Sequence, residues 1–116
     1  MGRLTTHILD TSSGTPAAGV AWSLYRVDSS ETPIRNGLTN SDGRSEGAIL
    51  EGEAFKPGIY ELRFAIGDYF RSRGITLSEP AFLDVVVIRF GIHDVDGHYH
   101  VPLLASPFGY STYRGS

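Results

Sequence analysis

The groups in this sequence with chemistry to offer are four histidines, an arginine behind a tight turn, and an aromatic, basic carboxy-terminus. His98 and His100 stand two apart, so in an extended segment both imidazoles project to one side. Such a pair can hold a metal ion, with His93, Asp94 and Asp96 nearby as further ligands. It can equally orient and deprotonate water, because imidazole titrates near neutral pH. The second use fits better, since Asp94 to Gly97 reads as a turn and no third ligand stands at a convincing spacing. His7 reads as a surface or hydrogen-bonded strand residue unless other reactive groups share its face. Arg44 follows Ser41-Asp-Gly43 and is either solvated or a planar donor fork for a carboxylate, imide or enolate-like oxygen. The segment His98 to Ser116 packs two histidines, three tyrosines, an arginine and two prolines into the end of the chain. A disordered tail is usually rich in glycine and charge and poor in aromatics, so this one reads as part of a binding site. There is no Gly-x-Ser-x-Gly elbow, His-Glu-x-x-His pair, P-loop or dinucleotide fingerprint. Any hydrolysis would use activated water and no covalent intermediate.

These groups lie far apart in sequence and meet only if the elements carrying them do. Leu4 to Leu9 alternates, with Leu4, Thr6 and Ile8 on one face and Thr5, His7 and Leu9 on the other. Val20, Trp22 and Leu24 form a second apolar comb, and Ile34–Leu38, Tyr60–Phe64, Val85–Phe90, Tyr99–Leu104 and Gly109–Arg114 read as further strands. Val85–Phe90 is the most apolar run and is expected at the centre of a sheet. Pro102 removes a ladder donor, so its strand should be an edge, bulged or interrupted. A turn at Ser106-Pro-Phe-Gly109 would fold the terminus back beside His98 and His100. Other turns are expected at Ser12–Pro16, Ser41–Arg44 and Asp94–Gly97, and one brief helix over Asp68–Arg73, stopped by Gly74. Seven or eight short strands with one helix predict an all-β, two-sheet sandwich.

At 116 residues the chain has the size of a single domain, 1–116, with one core. A net charge of -3 and a pI near 5.7 argue against nucleic acid and anionic membrane surfaces as partners. No apolar run approaches the roughly 18 residues of a membrane span. The absence of cysteine excludes disulfides and thiolate metal sites. Met1 to His7 lacks the basic-then-apolar stretch of a signal peptide, so the expected location is cytoplasmic.

Read together, Leu4-Thr-Thr-His-Ile-Leu-Asp-Thr11 with Gly14-Thr-Pro-Ala17, the Asn40-Ser-Asp-Gly-Arg44 turn, Tyr60-Glu-Leu-Arg-Phe64 with Gly67-Asp-Tyr-Phe70, and His98-Tyr-His-Val-Pro-Leu-Leu104 resemble the transthyretin-related 5-hydroxyisourate hydrolases. The resemblance covers nearly the whole chain. The ending Tyr113-Arg-Gly-Ser116 is its most specific part, because it separates the hydrolases from the hormone-carrying transthyretins of the same fold. Pro80-Ala-Phe-Leu-Asp84 and Ala105 depart from the family's usual residues. The resemblance implies a transthyretin-like β-sandwich that hydrolyses 5-hydroxyisourate, the unstable purine-derived product of urate oxidation. Its six-membered ring would open to 2-oxo-4-hydroxy-4-carboxy-5-ureidoimidazoline, with no cofactor or metal. It also implies a homotetramer, a dimer of dimers, with sites in a channel between dimers. His7, Arg44, His100 and Ser116 would be catalytic, His7, Arg44, Tyr113, Arg114 and Gly115 would bind substrate, and His98 would lie beside the site. The alternative is a non-catalytic, transthyretin-like carrier of a small aromatic ligand. Imidazoles, a guanidinium and the Tyr-Arg-Gly-Ser end favour chemistry; an apolar channel would favour carrying.

Overall fold

Alternation along the first strand sets the architecture. In a computed structural model, which describes residues 2–28 and 31–115, β1 (Arg3–Asp10) buries Leu4, Thr6, Ile8 and Asp10 and leaves Thr5, His7 and Leu9 half-buried on the outer face. Two short strands, β2 (Thr15–Pro16) and β5 (Leu50–Glu51), pair with one side of β1 at its two ends. β8 (His98–Ser106) runs parallel to the other side of β1 along its whole length, and β9 (Gly109–Thr112) returns antiparallel to β8. The turn expected at Ser106–Gly109 is present, with those two residues paired across it.

The second sheet has the order β4–β3–β6–β7, from β3 (Ala21–Arg26), β4 (Arg35–Leu38), β6 (Gly58–Phe64) and β7 (Val86–Ile92). Leu24, Leu62 and Phe64 of this sheet and Leu4, Ile8 and Leu103 of the first are fully buried between the two layers. Each such side chain contributes on the order of 1.5–3 kcal/mol by leaving water, so the layers hold together through their inward combs. The helix α1 (Ile66–Ser72) lays Ile66, Tyr69 and Phe70 on the core, and Tyr69 Oη donates to Asp10 Oδ2 at 2.9 Å, tying it to the end of β1. It begins two residues ahead of the expected Asp68 because Ile66 and Gly67 are themselves buried and continue its inner face.

One expectation differs from the structure, and one is resolved among its alternatives. The run Val85–Phe90 falls in β7 from Val86 onward, at the edge of its sheet and not at the centre, and Val85 and Val87 remain 48% and 44% exposed. Its apolar composition therefore reflects an uncovered outer face and not burial on both sides. β8, which carries Pro102, is not an edge; it lies between β1 and β9. The ladder is instead interrupted, as a missing donor requires. Pairing with the terminal segment holds at Leu103↔Thr112, lapses at Pro102, and resumes at the isolated bridge His100↔Gly115. Thr112 Oγ1 donates to the Pro102 carbonyl at 2.7 Å and closes the gap. No helix among the described residues is long and apolar enough to cross a membrane.

Candidate active site

Arg44 is placed by a glycine. In the turn at residues 40–44, Asn40 Oδ1 accepts the backbone N–H groups of Asp42 (2.9 Å) and Arg44 (3.1 Å), and the Gly43 N–H donates to the Asn40 carbonyl at 2.9 Å. The turn docks on β1 between β2 and β5, where the Ile8 N–H donates to the Gly43 carbonyl at 2.8 Å and His7 pairs with Arg44. Gly43 has φ +75°, and a Cβ there would lie 2.5 Å from the Ile8 carbonyl oxygen, so only glycine permits this approach. Paired antiparallel residues share a face, so Arg44 stands beside His7 on the outside of the first sheet. Its side chain is exposed, and among the described residues its guanidinium has no hydrogen-bond or ion-pair partner.

The parallel register brings in the other histidines. Arg3↔His98 and Thr5↔His100 are opposite pairs, so both imidazoles emerge next to Thr5 on the face that carries His7. Thr5 Oγ1 lies 2.7 Å from His100 Nδ1 and 2.9 Å from His98 Nε2. The two rings stand 6.1 Å apart, centroid to centroid. On the far side of His100 the Gly115 N–H donates to the His100 carbonyl at 2.8 Å, and a Cβ on Gly115 would come within 2.6 Å of His100 Cδ2. Thus the His100 ring is held between a hydroxyl on β1 and the bare backbone of the terminus.

Arg3, Thr5, Arg44, Ser45, His98 and His100 line one open cleft of about 360 Å³. Burial and the neighbouring Arg44 charge both lower the proton affinity of His7, against the pull of Asp42; the same two causes, followed by the charges of His98 and His7, lower that of His100. Both imidazoles therefore favour the neutral, proton-accepting form more than a free imidazole does. The cleft brings together the Arg44 donor fork and the His100 imidazole, with His7 beside Arg44 on the same face, the combination needed to polarise a carbonyl while deprotonating water.

The sequence-derived residues fall into three groups. Arg44, His98 and His100 share the cleft, with His7 beside Arg44 on the same face. Gly115 abuts the His100 ring. Tyr113 and Arg114 line a neighbouring, more apolar hollow of about 260 Å³ that also touches His100. There the Arg114 guanidinium stacks 4.0 Å above the Tyr99 ring and is not directed into the cleft. Ser116 lies outside the described residues. His93, Asp94 and Asp96, the further ligands weighed for a metal, form no group of three or more such side chains placed to hold an ion with the other described residues; the backbone N–H groups of His93 and Asp94 donate to Tyr99 Oη, each at 3.0 Å. Thr5, the hydroxyl between the two imidazoles, was not singled out from sequence as a bonding partner of either. Its place two residues before His7 puts it on the right face, but only the β1–β8 register shows that it meets His98 and His100.

A family model described as the HIUase/Transthyretin family matches residues 4–115. A 5-hydroxyisourate hydrolase of Ralstonia nicotianae is 59% identical over 117 residues, which cover 100% of both chains. The structure of Klebsiella pneumoniae 5-hydroxyisourate hydrolase matches with a TM-score of 0.83 and 37% identity over 100% of each chain. The crystal structure of an (S)-allantoin synthase superposes with a TM-score of 0.93 and 46% identity over 99% of this chain, which spans 44% of that longer one.

Proposed function

The chain belongs to the HIUase/Transthyretin family, and from that premise we propose that it is a 5-hydroxyisourate hydrolase acting in urate degradation. The observation that carries the reading is the cleft itself, where the Arg44 guanidinium, without a partner among the described residues, shares one face with His7 and His100, two imidazoles whose proton affinity is lowered by burial and by that same charge. A carrier of apolar ligands has no use for such a lining. Full-length relatives bearing the hydrolase name support the same reading.

The chemistry follows from the geometry. The substrate is flat and rich in carbonyl oxygens. Arg44 donates parallel hydrogen bonds to them and stabilises the oxyanion formed on attack, a contribution worth about 10²–10³ in rate. His7 and His100 orient a water molecule, and one takes its proton as the oxygen bonds to the ring carbonyl carbon, worth about 10²–10⁴. Collapse of the tetrahedral centre breaks the ring C–N bond, the departing nitrogen recovers a proton, and a carboxylate and a ureido group remain. His98 supports His100 through Thr5. Gly115 packs against the His100 ring and Tyr113 lines the adjoining hollow; the substrate-orienting role expected of the terminus belongs to the same proposal.

The cleft is open on one side in a single chain. We assign its closure to self-association as a homotetramer, a dimer of dimers, that encloses the outer face of the first sheet in a channel. The cytoplasmic location expected from the sequence belongs to the same proposal. The test is the ultraviolet absorbance of freshly oxidised urate, whose 5-hydroxyisourate signal should decay faster with protein. His7→Ala, Arg44→Ala and His100→Ala should each lose at least about 10² in turnover while remaining folded. Unaccelerated decay with wild-type protein would leave the carrier reading, and a folded variant with full turnover would remove that residue from the mechanism.

A further inference from the structure

Resting on the hydrolase reading, we propose that Thr5 is a positioning residue whose hydroxyl holds His100 as the Nδ1–H tautomer, leaves Nε2 bare toward the cleft as the base, and relays the captured proton to His98. A threonine hydroxyl has one proton to give. Oγ1 lies 2.7 Å from His100 Nδ1 and 2.9 Å from His98 Nε2, so it donates to one ring and accepts from the other. The tautomers of the two histidines are therefore locked together.

Two neutral arrangements satisfy both bonds. In one, His98 Nε2–H donates to Thr5, Thr5 donates to His100 Nδ1, and His100 presents Nε2–H to the cleft. In the other, His100 Nδ1–H donates to Thr5, Thr5 donates to His98 Nε2, and His100 presents a lone pair. The nitrogen that faces the cleft is Nε2, because Nδ1 is turned to β1 and Cδ2 to Gly115. Arg44 decides between them. Its positive charge across the cleft, reinforced by Arg3 and opposed by no acidic side chain among the described lining residues, favours the tautomer that turns a lone pair toward it and an N–H away. His7 acts on His100 as well, and its own proton affinity is lowered by burial and by Arg44.

The relay then balances. A water O–H bond breaks as an N–H bond forms at His100 Nε2. The His100 Nδ1–H bond breaks as an O–H bond forms on Thr5, and the original Thr5 O–H breaks as an N–H bond forms at His98 Nε2. The positive charge leaves the half-buried ring beside Arg44 and ends on His98, the more exposed of the two imidazoles in the single chain.

Nitrogen-15 imidazole NMR of the wild-type protein tests the tautomer without turnover. His100 should carry its proton on Nδ1, and a wild-type spectrum showing Nε2–H would overturn the proposal. In kinetics, Thr5→Val keeps the shape and the strand preference but removes the hydroxyl. It should lose about 10² in kcat with KM little changed, and return His100 to the Nε2–H form. Thr5→Ser should restore both. Added to His98→Ala, Thr5→Val should cost less than it does alone, since the relay then has no acceptor. A Thr5→Val enzyme with wild-type kcat, or additive losses, would refute the relay. If the wild-type protein fails to hydrolyse 5-hydroxyisourate at all, the hydrolase reading falls, while the spectrum still reports on Thr5.

Discussion

Replacing Gly115 with alanine probes the site at its tightest point. The φ of Gly115 lies outside the left-handed region, so its backbone accepts a side chain without strain. The atoms nearest the new Cβ would be those of His100: Cδ2 at 2.6 Å, Cγ at 3.3 Å and Cβ at 3.4 Å. Carbon atoms in ordinary contact stand no closer than about 3.5 Å, so roughly 1 Å of relative movement is required. The ring cannot yield cheaply, because its opposite edge is bonded to Thr5 at 2.7 Å. Nor can the terminus lift without breaking the Gly115 N–H bond to the His100 carbonyl. Whichever gives, base and terminus lose their registry by about 1 Å, a displacement that costs on the order of 10²-fold in rate, or about 2.7 kcal/mol of barrier. The strands bearing the core are untouched, so the melting temperature should stay within a degree or two of wild type. The assay is the decay of freshly formed 5-hydroxyisourate by ultraviolet absorbance, paired with thermal unfolding. Gly115→Ala with wild-type kcat and KM would show that the close packing of the terminus on His100 has no part in catalysis.

Two other outcomes are expected. His7 and His100 bind protons less readily in the folded chain than the ordinary value of 6.5, first because of burial and then because of Arg44. Activity that needs neutral imidazole should therefore persist below pH 6.5 in a pH–rate profile. Below that pH the unfolded chain takes up more protons than the folded one, so the stability these rings contribute is complete above 6.5 and declines as pH falls toward their folded values, as denaturant titrations at several pH values would show. Asp10, only 3% exposed, accepts the Tyr69 hydroxyl at 2.9 Å, the Ser12 N–H and hydroxyl at 3.0 and 2.6 Å, and the Ser13 N–H at 3.2 Å. Asp10→Ala orphans the buried Tyr69 hydroxyl and should cost at least about 1–3 kcal/mol in equilibrium unfolding, whereas Tyr69→Phe should cost less because it removes both a donor and its demand for a partner.

What could be read from the sequence depended on whether the signal was local. The face of β1 was legible because a period of two leaves no choice once Leu4, Thr6 and Ile8 are assigned inward: Thr5 and His7 must point out. The return of the terminus to His100 was legible because a proline-glycine turn and a disrupted ladder at Pro102 are both properties of a few adjacent residues. The place of Val86–Ile92 at a sheet edge was not, since composition reports how apolar a strand is and not whether another strand lies beside it.

The same limit explains why the chemistry of the cleft outran its motifs. No residue between His7 and His98 brings them together; the parallel register of β1 on β8 does, and a slip of one residue would turn His98 and His100 into the core. That register is enforced from the other face, where Leu4, Ile8, Val101 and Leu103 pack inward in the core. The outer face inherits its geometry from this inner one. Thr5 could meet two imidazoles, and Arg44 could stand across from them, only because apolar residues on the reverse side of the same strands fix where each strand must lie. Mutations that slacken the core should therefore reduce turnover before they unfold the chain, through loss of the 2.7 Å contact at His100.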